Sequence, residues 1–290
     1  MISKLLLHHK VRYNLEQVLS RQPHGLLLTG PEGSGKQTVV RCLAAEILGL
    51  TTDNLLNYPY IFIFDLIEKA ISIESIRNLQ QFLKLKVPAK TQNIRRIIII
   101  DNAERMKKEA QNALLKTLEE PPEDTMIIMS VNQSEQLLPT ITSRMHEIAL
   151  LPLGLGQAND YFTSSGASSA LISRAHALSQ GQAGLMYALV NNKQHELSDY
   201  VDIAKSLLGA TQPNRLLRSD ELSKDKTQLK QLLLAFSRIT HAALQQASLN
   251  NNRPAISKWL KAEIAVTNAA NVMSHNPNTK LLLDDLFLNL

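Results

Sequence analysis

The sequence predicts an α/β domain with a five-stranded parallel sheet, followed by a small helical domain and an all-α C-terminal domain. The first sign is Ile97 to Ile100, an unbroken β-branched run typical of a strand buried on both faces of a parallel sheet. The second is the order of strand, glycine-rich loop and helix that begins at Gly25. The third is that residues 195–290 carry apolar stripes and no glycine-rich loop, which indicates helices only.

Five apolar runs are predicted as the strands of the sheet. They are Gly25 to Thr29, Tyr60 to Phe64, Ile97 to Ile100, Met126 to Ser130 and His146 to Leu150. Amphipathic patterns predict helices within residues 1–22, 39–48, 73–83, 110–118 and 229–244. Pro121 and Pro122 must end the fourth of these helices. Leu153 to Ser169 is rich in Gly, Ser, Asn and Ala, and it is predicted to be a linker.

The loop after the first strand has the composition and the context of a phosphate-binding P-loop. Its residues are Gly30, Pro31, Glu32, Gly33, Ser34, Gly35, Lys36, Gln37 and Thr38. Between a strand and a helix, such a loop turns backbone N–H groups towards phosphates, and Lys36 would reach the outer ones. ATP is therefore the expected cofactor.

The loop departs from the P-loop pattern at Gln37, where Ser or Thr normally gives a hydroxyl to Mg²⁺. An amide is a poorer and longer ligand for this hard cation. Thr38 is the alternative Mg²⁺ contact, but it would have to present its hydroxyl from another face of the helix. The loop thus predicts that ATP is bound weakly or not at all and that its hydrolysis is negligible.

Asp101 ends the central strand and is the second candidate Mg²⁺ contact. A carboxylate at this edge of a parallel sheet can hold the water shell of the metal. The next position should be a Glu that polarises the attacking water, and it is Asn102. Losing a general base costs roughly 10² to 10⁴ in rate, so we expect a poor ATPase. Glu104 is expected to cap the following helix, and the alternative is that it substitutes as the base.

Three strings resemble the bacterial clamp-loader subunits of the AAA+ family. They are IIIIDNAERM, QNALLKTLEEPPEDTMIIMSVN and LLPTITSRM, of which LLKTLEEPP is particularly specific. Within that family the chain is most similar to delta-prime subunits of DNA polymerase III, over nearly its whole length. The resemblance implies an AAA+ P-loop domain over residues 1–151, a helical lid over 152–193 and a helical collar for oligomerisation over 194–290.

The same resemblance assigns roles to single residues of the nucleotide site. Asn132 corresponds to the sensor-1 polar residue, with a plain turn amide after a strand as the alternative. Gly184 falls where an active ATPase has its sensor-2 arginine. Together with Gln37 and Asn102, it is the third catalytic position that departs from the family pattern.

Arg144 corresponds to the arginine of the family's Ser-Arg-Cys motif, which projects into the ATP site of a neighbouring subunit. The alternative is a surface arginine that pairs with Glu147 or another carboxylate. Lys107 and Lys108 fall where family members face the DNA backbone, and the alternative is a solvated basic face.

Composition limits the class of protein. A formal charge of +5 and a pI of about 9.2 are compatible with a surface that faces nucleic acid. The single cysteine, Cys42, excludes a disulfide framework, and the four-cysteine zinc module of the clamp-loader family is missing, so we expect no zinc. The N-terminal stretch has too few apolar residues for a signal peptide or a membrane anchor, so a cytoplasmic protein is expected.

Three functions follow from these patterns. The first is a non-motor, delta-prime-like subunit in a hetero-oligomer with gamma/tau-like and delta-like subunits, which loads the sliding clamp on primed DNA during DNA replication. The second is an active gamma/tau-type ATPase motor, against which Gln37, Asn102 and Gly184 speak. The third is an AAA+ adaptor outside replication, against which the LEEPP and Ser-Arg elements speak.

Overall fold

The computed structural model describes residues 1–64, 70–85, 87, 94–193, 196–273 and 275–290. Five strands form one sheet: β1 (Gly25–Thr29), β2 (Ile61–Ile63), β3 (Arg96–Ile100), β4 (Thr125–Val131) and β5 (His146–Ala149). They run parallel in the order β2-β3-β4-β1-β5. The predicted fold class is confirmed, and each predicted strand ends within one residue of the observed one.

The sheet is covered on both faces by helices, because successive strand residues point to opposite sides. One face packs on α1 (His9–Arg21) and α2 (Lys36–Leu48), and its core includes Leu26, Leu28, Ile97 and Ile99. The other face packs on α3 (Ile73–Leu83) and α4 (Lys108–Glu119), and its core includes Leu27, Ile98 and Ile100. Each such side chain contributes about 1.5 to 3 kcal/mol by burial.

Local sequence signals set the ends of the helices around the sheet. Gly35 caps the start of α2 at φ 89°, and Gly49 ends it at φ 67°, both left-handed conformations that glycine adopts without strain. The helix α4 stops at Glu119, two residues before Pro121. A short helix α5 (Pro139–Thr142) with proline at its first position then leads into β5.

The chain divides into two compact units. The first comprises residues 1–157 and 182–184, and the second comprises 158–181 and 185–290. The helices after the sheet are α6 (Leu155–Thr163), α7 (Ser169–Ser179), α8 (Ala183–Asn191), α9 (Glu196–Gly209), α10 (Gln212–Leu222), α11 (Lys226–Leu249), α12 (Arg253–Met273) and α13 (Thr279–Asn289). The finer division into three domains stays a prediction, and its boundary at 193/194 meets residues 194–195, which lie outside the described residues.

The predicted linker at 153–169 is wrong, because α6 occupies most of it. The segment is polar overall, but Ala158 and Phe162 are two apolar residues at helical spacing, and both are buried. The ring of Phe162 also lies 6.3 Å from that of Tyr187. Burial of this aromatic side chain gives the segment a reason to be helical that composition alone does not reveal.

The core of the second unit is built on α11. Asp225 caps this helix by accepting hydrogen bonds from the backbone of Thr227 and Gln228. The predicted apolar stripe is confirmed: Leu229, Leu232 and Phe236 are buried in a cluster to which α9, α12 and α13 also contribute, and α11 packs directly on α9 and α12. Among the helices of the described residues, none is both long and apolar enough to cross a membrane.

Candidate functional site

The strand order brings three predicted site elements to one edge of the sheet. The loop Gly30–Gly35 follows β1, Asp101 follows β3 and Asn132 follows β4, and these three strands are neighbours. In parallel sheets the carboxyl ends of the strands lie at the same edge, where ligands bind. The sheet therefore gathers side chains that are 30 to 100 residues apart in the chain.

Lys36 is bound to oxygen atoms of the protein itself. Its Nζ donates to the carbonyl of Gly30, to the carbonyl of Pro31 at 3.3 Å and to Oδ1 of Asn132 at 2.9 Å. The residue is only 7% exposed. Burial lowers the pKa of Lys36, and the nearby carboxylates of Glu104, Glu32 and Asp101 partly oppose this shift.

Glu104 is a member of this network, and the prediction that it caps the following helix is wrong. The helix α4 begins at Lys108 with Lys107 as its N-cap residue, whereas Glu104 lies in a separate, three-residue 3₁₀ helix, Ala103–Arg105. Its Oε1 accepts from Nδ2 of Asn132 at 2.8 Å. Burial raises the pKa of Glu104, which the charge of Lys36 opposes.

Asp101 is held by the neighbouring strand. Ser130 Oγ donates to Oδ1 of Asp101 at 2.9 Å and accepts from the backbone N–H of Asn102 at 3.1 Å. Burial raises the pKa of Asp101. Asn102 has φ 52°, a left-handed conformation that asparagine tolerates better than most residues. The backbone conformation therefore favours asparagine at the position where a catalytic Glu was expected.

Several buried polar atoms at this edge have no hydrogen-bond partner among the described residues. They are Ser34 Oγ, Asp101 Oδ2 and Glu104 Oε2. An unpaired buried polar atom costs about 1 to 3 kcal/mol. The network around Lys36 is therefore only partly satisfied, because one oxygen of each of the carboxylates Asp101 and Glu104 lacks a hydrogen bond.

The backbone of Gly184 lies directly against the P-loop. The segment 182–184 belongs to the same compact unit as the loop. A Cβ atom at Gly184 would lie 2.8 Å from both Cα and N of Gly35 and 2.9 Å from the carbonyl oxygen of Gly33. Real Cβ atoms do not approach that closely, so this position requires glycine for packing. No side chain, arginine included, fits there in this arrangement.

The remaining loop residues differ in exposure. Pro31, Glu32 and Thr38 are exposed, whereas Gln37 is half-buried. The loop has the backbone of a phosphate site, with left-handed glycines and a helix N-terminus. Its lysine and the Gly35 amide region, however, face the protein's own atoms. In the described residues no three His, Cys, Asp or Glu side chains converge as a metal site would require.

Arg144 lies on the turn between α5 and β5. Its side chain is 36% exposed and forms an ion pair of 2.8 Å with Glu119, which is 50% exposed. This is the ion pair that the alternative for Arg144 predicted, with Glu119 as the carboxylate and not Glu147. Met145, at the position of the family's cysteine, is buried and packs over Gly25. Lys107 and Lys108 are exposed at the start of α4.

A five-stranded parallel sheet with a glycine-rich loop after β1 and a carboxylate after β3 defines an AAA+ type P-loop domain. The chain belongs to the protein family described as DNA polymerase III, delta subunit, whose model matches residues 9–154.

Individual relatives agree with this family. The DNA polymerase III subunit delta' of Pseudomonas aeruginosa is 33% identical over 146 residues, which cover 43% of this chain and 42% of that protein. The DNA polymerase III subunit tau of Escherichia coli is 30% identical over 149 residues, covering 48% and 23%. The chain thus spans less than half the length of these curated relatives. A crystal structure of a DNA polymerase III, gamma subunit-related protein from Thermotoga maritima has the same fold, with a TM-score of 0.55 and 19% identity over 94% of this chain and 97% of that one.

Two residues of these sites escaped the sequence reasoning. Glu104 is predicted to cap the following helix rather than to bond Asn132, and Glu119 stands within LLKTLEEPP without a predicted role. The sequence does indicate that Glu119 lies at the end of a helix, because it comes just before the prolines that stop α4. Its pairing with Arg144 needs the tertiary fold, because 25 residues separate the two.

Proposed function

We propose that this chain is a delta-prime-like, non-motor subunit of the DNA polymerase III clamp loader, and that it acts on a neighbour's ATP rather than on its own. The observation that carries this proposal is the contrast between two cations of the same domain. Lys36 is buried and bound to the protein's own oxygens, whereas Arg144 is exposed on a turn. Family membership and the delta' and tau relatives support the setting.

The chain's own nucleotide chemistry is weak in this proposal. When bound, ATP with Mg²⁺ would supply the phosphoryl group, with Lys36, Asp101 and Thr38 as the residues that could hold it. ATP would have to withdraw Lys36 from Asn132 and displace Gly184 from the Gly35 amide region. Asn102 offers no carboxylate to polarise an attacking water. Weak binding and negligible hydrolysis follow.

Arg144 would act as an arginine finger in trans. A guanidinium delivered to the transferred phosphoryl group stabilises the charge that develops on it and is worth about 10³ to 10⁵ in rate. The turn that carries Arg144 is anchored by the buried side chains of Ile141 and Met145 on either side. A fixed backbone with an exposed arginine suits a group that must meet an approaching partner.

The experiment is reconstitution of the complex with Arg144→Ala, gamma/tau-like and delta-like subunits, clamp and primed DNA. We expect ATP turnover at the adjoining site to fall by about 10³, with complex assembly and the melting temperature nearly unchanged. Arg77→Ala removes another exposed arginine of the same unit and is the matched control. Full turnover in the Arg144→Ala complex would refute the proposal.

The rival function, a gamma/tau-type motor, makes the opposite demand. Purified chain would then turn over ATP near 1 s⁻¹, at the low edge of the usual range for phosphoryl transfer, and would lose this activity on Lys36→Ala. A different rival, an adaptor outside replication, would co-purify at native level without clamp or polymerase subunits. Mass spectrometry of the tagged protein's partners decides between it and the proposal.

Contact with primed DNA is proposed for Lys107 and Lys108. Both are exposed at the N-terminus of α4, where the backbone N–H groups also favour phosphate. Charge reversal at both should weaken DNA-dependent loading and lower the salt slope by about 2. Charge reversal at Lys205 and Lys224, exposed lysines of the second unit, is the control. Equal salt slopes in the wild-type complex, the Lys107/Lys108 variant and the control would show that Lys107 and Lys108 form only a solvated basic face.

Assembly is proposed to use the helices of the second unit. Leu217, Leu281 and Leu288 are among the exposed large apolar residues on α10 and α13, which pack on each other. Exposed apolar side chains of this kind are typical of a protein interface. The expected partners are gamma/tau-like and delta-like subunits, and the expected location is the cytoplasm.

A further inference from the structure

The guanidinium of Arg144 is held from two sides. Its Nη2 donates to Oε1 of Glu119 at 2.8 Å, and its Nη1 donates to the carbonyl of Thr140 at 2.9 Å. Thr140 belongs to α5, one turn before Arg144, whereas Glu119 is the last residue of α4. A side chain with four rotatable bonds is thus fixed at its tip by two separate helices.

Glu119 is poorly placed for stability. The C-terminal end of a helix carries partial negative charge, so a carboxylate there is unfavourable by about 0.3 to 1 kcal/mol at the surface. Both members of the pair are at least one-third exposed, and exposed ion pairs contribute little to folding. Folding alone therefore gives no reason for a carboxylate at the end of α4 facing Arg144.

The backbone around Arg144 needs no help from Glu119. Ile141 and Met145 are buried, and the backbone N–H of Arg144 donates to the carbonyl of Ile141 at 3.0 Å. What the core leaves undetermined is the direction of the exposed side chain. The bond to Glu119 supplies that direction, because a guanidinium is a planar fork whose orientation follows from its first fixed N–H groups.

We propose that Glu119 is the positioning residue of Arg144, and this inference rests on the proposed function of Arg144. Glu119 holds one branch of the fork, so that the guanidinium keeps one direction before the neighbour's phosphates arrive. Binding then loses less side-chain freedom, and the reacting group is met at the required distance. The Glu of the LLKTLEEPP string thereby acquires a role in the chemistry of the Ser-Arg turn.

The test is Glu119→Gln in the reconstituted complex, with Glu120→Gln as the matched control. Glu120 is the next residue, is also exposed and is the C-cap residue of the same helix. We expect Glu119→Gln to lower the kcat of ATP turnover about tenfold, because misplacing a catalytic group by about 1 Å can cost up to 10². The KM for ATP should change less than twofold, since the arginine acts on the transition state and not on nucleotide binding. Glu119→Asp, which keeps the carboxylate, should recover part of the rate.

Two further variants separate this inference from the function on which it rests. Arg144→Ala alone must lower turnover, and if it does not, both fall together. Adding Glu119→Gln to Arg144→Ala should cause no further loss, because the positioning group then has nothing to position. If Arg144→Ala lowers turnover while Glu119→Gln matches Glu120→Gln, only the positioning role is overturned. It is also overturned if Glu119→Gln raises turnover, which would make the ion pair a restraint, or if the loss follows from failed assembly in gel filtration.

Discussion

Lys36 and Arg144 lie in the same compact unit and next to strands of the same sheet, yet one is buried and the other is exposed. Lys36 is 7% exposed and donates only to oxygens of its own chain, with Glu104 and Asp101 close behind. Arg144 is 36% exposed and is held at two points, by Glu119 and by the carbonyl of Thr140. The first cation is buried among its hydrogen-bond partners, and the second is bonded at its tip but remains exposed to solvent.

The difference follows from where each residue stands relative to the sheet. Lys36 starts α2, directly over the carboxyl ends of β1, β3 and β4, and the polar groups that end those strands surround it. Arg144 precedes β5, an edge strand whose residues His146, Glu147 and Ala149 are exposed. A central position favours burial and a network of hydrogen bonds, whereas an edge position leaves a side chain exposed to solvent.

The largest expected effect on the stability of the chain is at Lys36. Lys36→Met keeps the length and removes the ammonium, which leaves Asn132 Oδ1 and the Gly30 carbonyl without their donor. We expect the free energy of unfolding to fall by about 2 to 3 kcal/mol. Arg144→Met should cost less than about 1 kcal/mol, because its ion pair is exposed. Urea denaturation of both variants followed by circular dichroism measures this, and equal losses would remove the contrast between the two cations.

A second prediction concerns the glycine that lies on the P-loop. Gly184→Ala brings a Cβ atom to 2.8 Å from Gly35 and should destabilise the protein by about 1 to 3 kcal/mol, as overpacking does. Gly156→Ala is the control, since nothing lies within 4 Å of a Cβ there. Because alanine restricts the unfolded chain, the control should stabilise by about 0.4 to 1 kcal/mol. A Gly184→Ala protein as stable as the control would mean that the segment 182–184 does not press on the loop.

The sheet could be predicted from sequence almost completely, because its strands are short apolar runs. A β-branched run such as Ile97 to Ile100 is too short for a buried helix and suits a strand covered on both faces, and the loop that follows Thr29 fixes the neighbouring helix. The segment 155–163 could not be predicted, because its helix depends on burying Phe162 against residues distant in sequence. Glu104 and Glu119 were missed for the same reason. Each bonds a residue 25 or more positions away, which no local pattern encodes.

The smallest effect should be a change in pH dependence at Glu104. Burial raises the pKa of Glu104 above its ordinary value of 4.5, so the folded protein holds this proton to higher pH than the unfolded chain does. The stability that Glu104 contributes is therefore complete below pH 4.5 and is lost as the pH rises through the raised pKa. Glu104→Gln removes the titrating group. The free energy of unfolding should then decrease less between pH 4.5 and neutrality.

The control for Glu104→Gln is Glu123→Gln, which removes an exposed carboxylate before β4. Urea denaturation at several pH values compares the two, and identical slopes would show that Glu104 is not buried as described. The charge of Lys36 opposes the rise that burial causes in the pKa of Glu104. Lys36→Met, made with and without Glu104→Gln, therefore adds a sharper test. Without the ammonium the pKa of Glu104 should rise further, and the wild-type glutamate should then lose more stability with rising pH than it does beside Lys36.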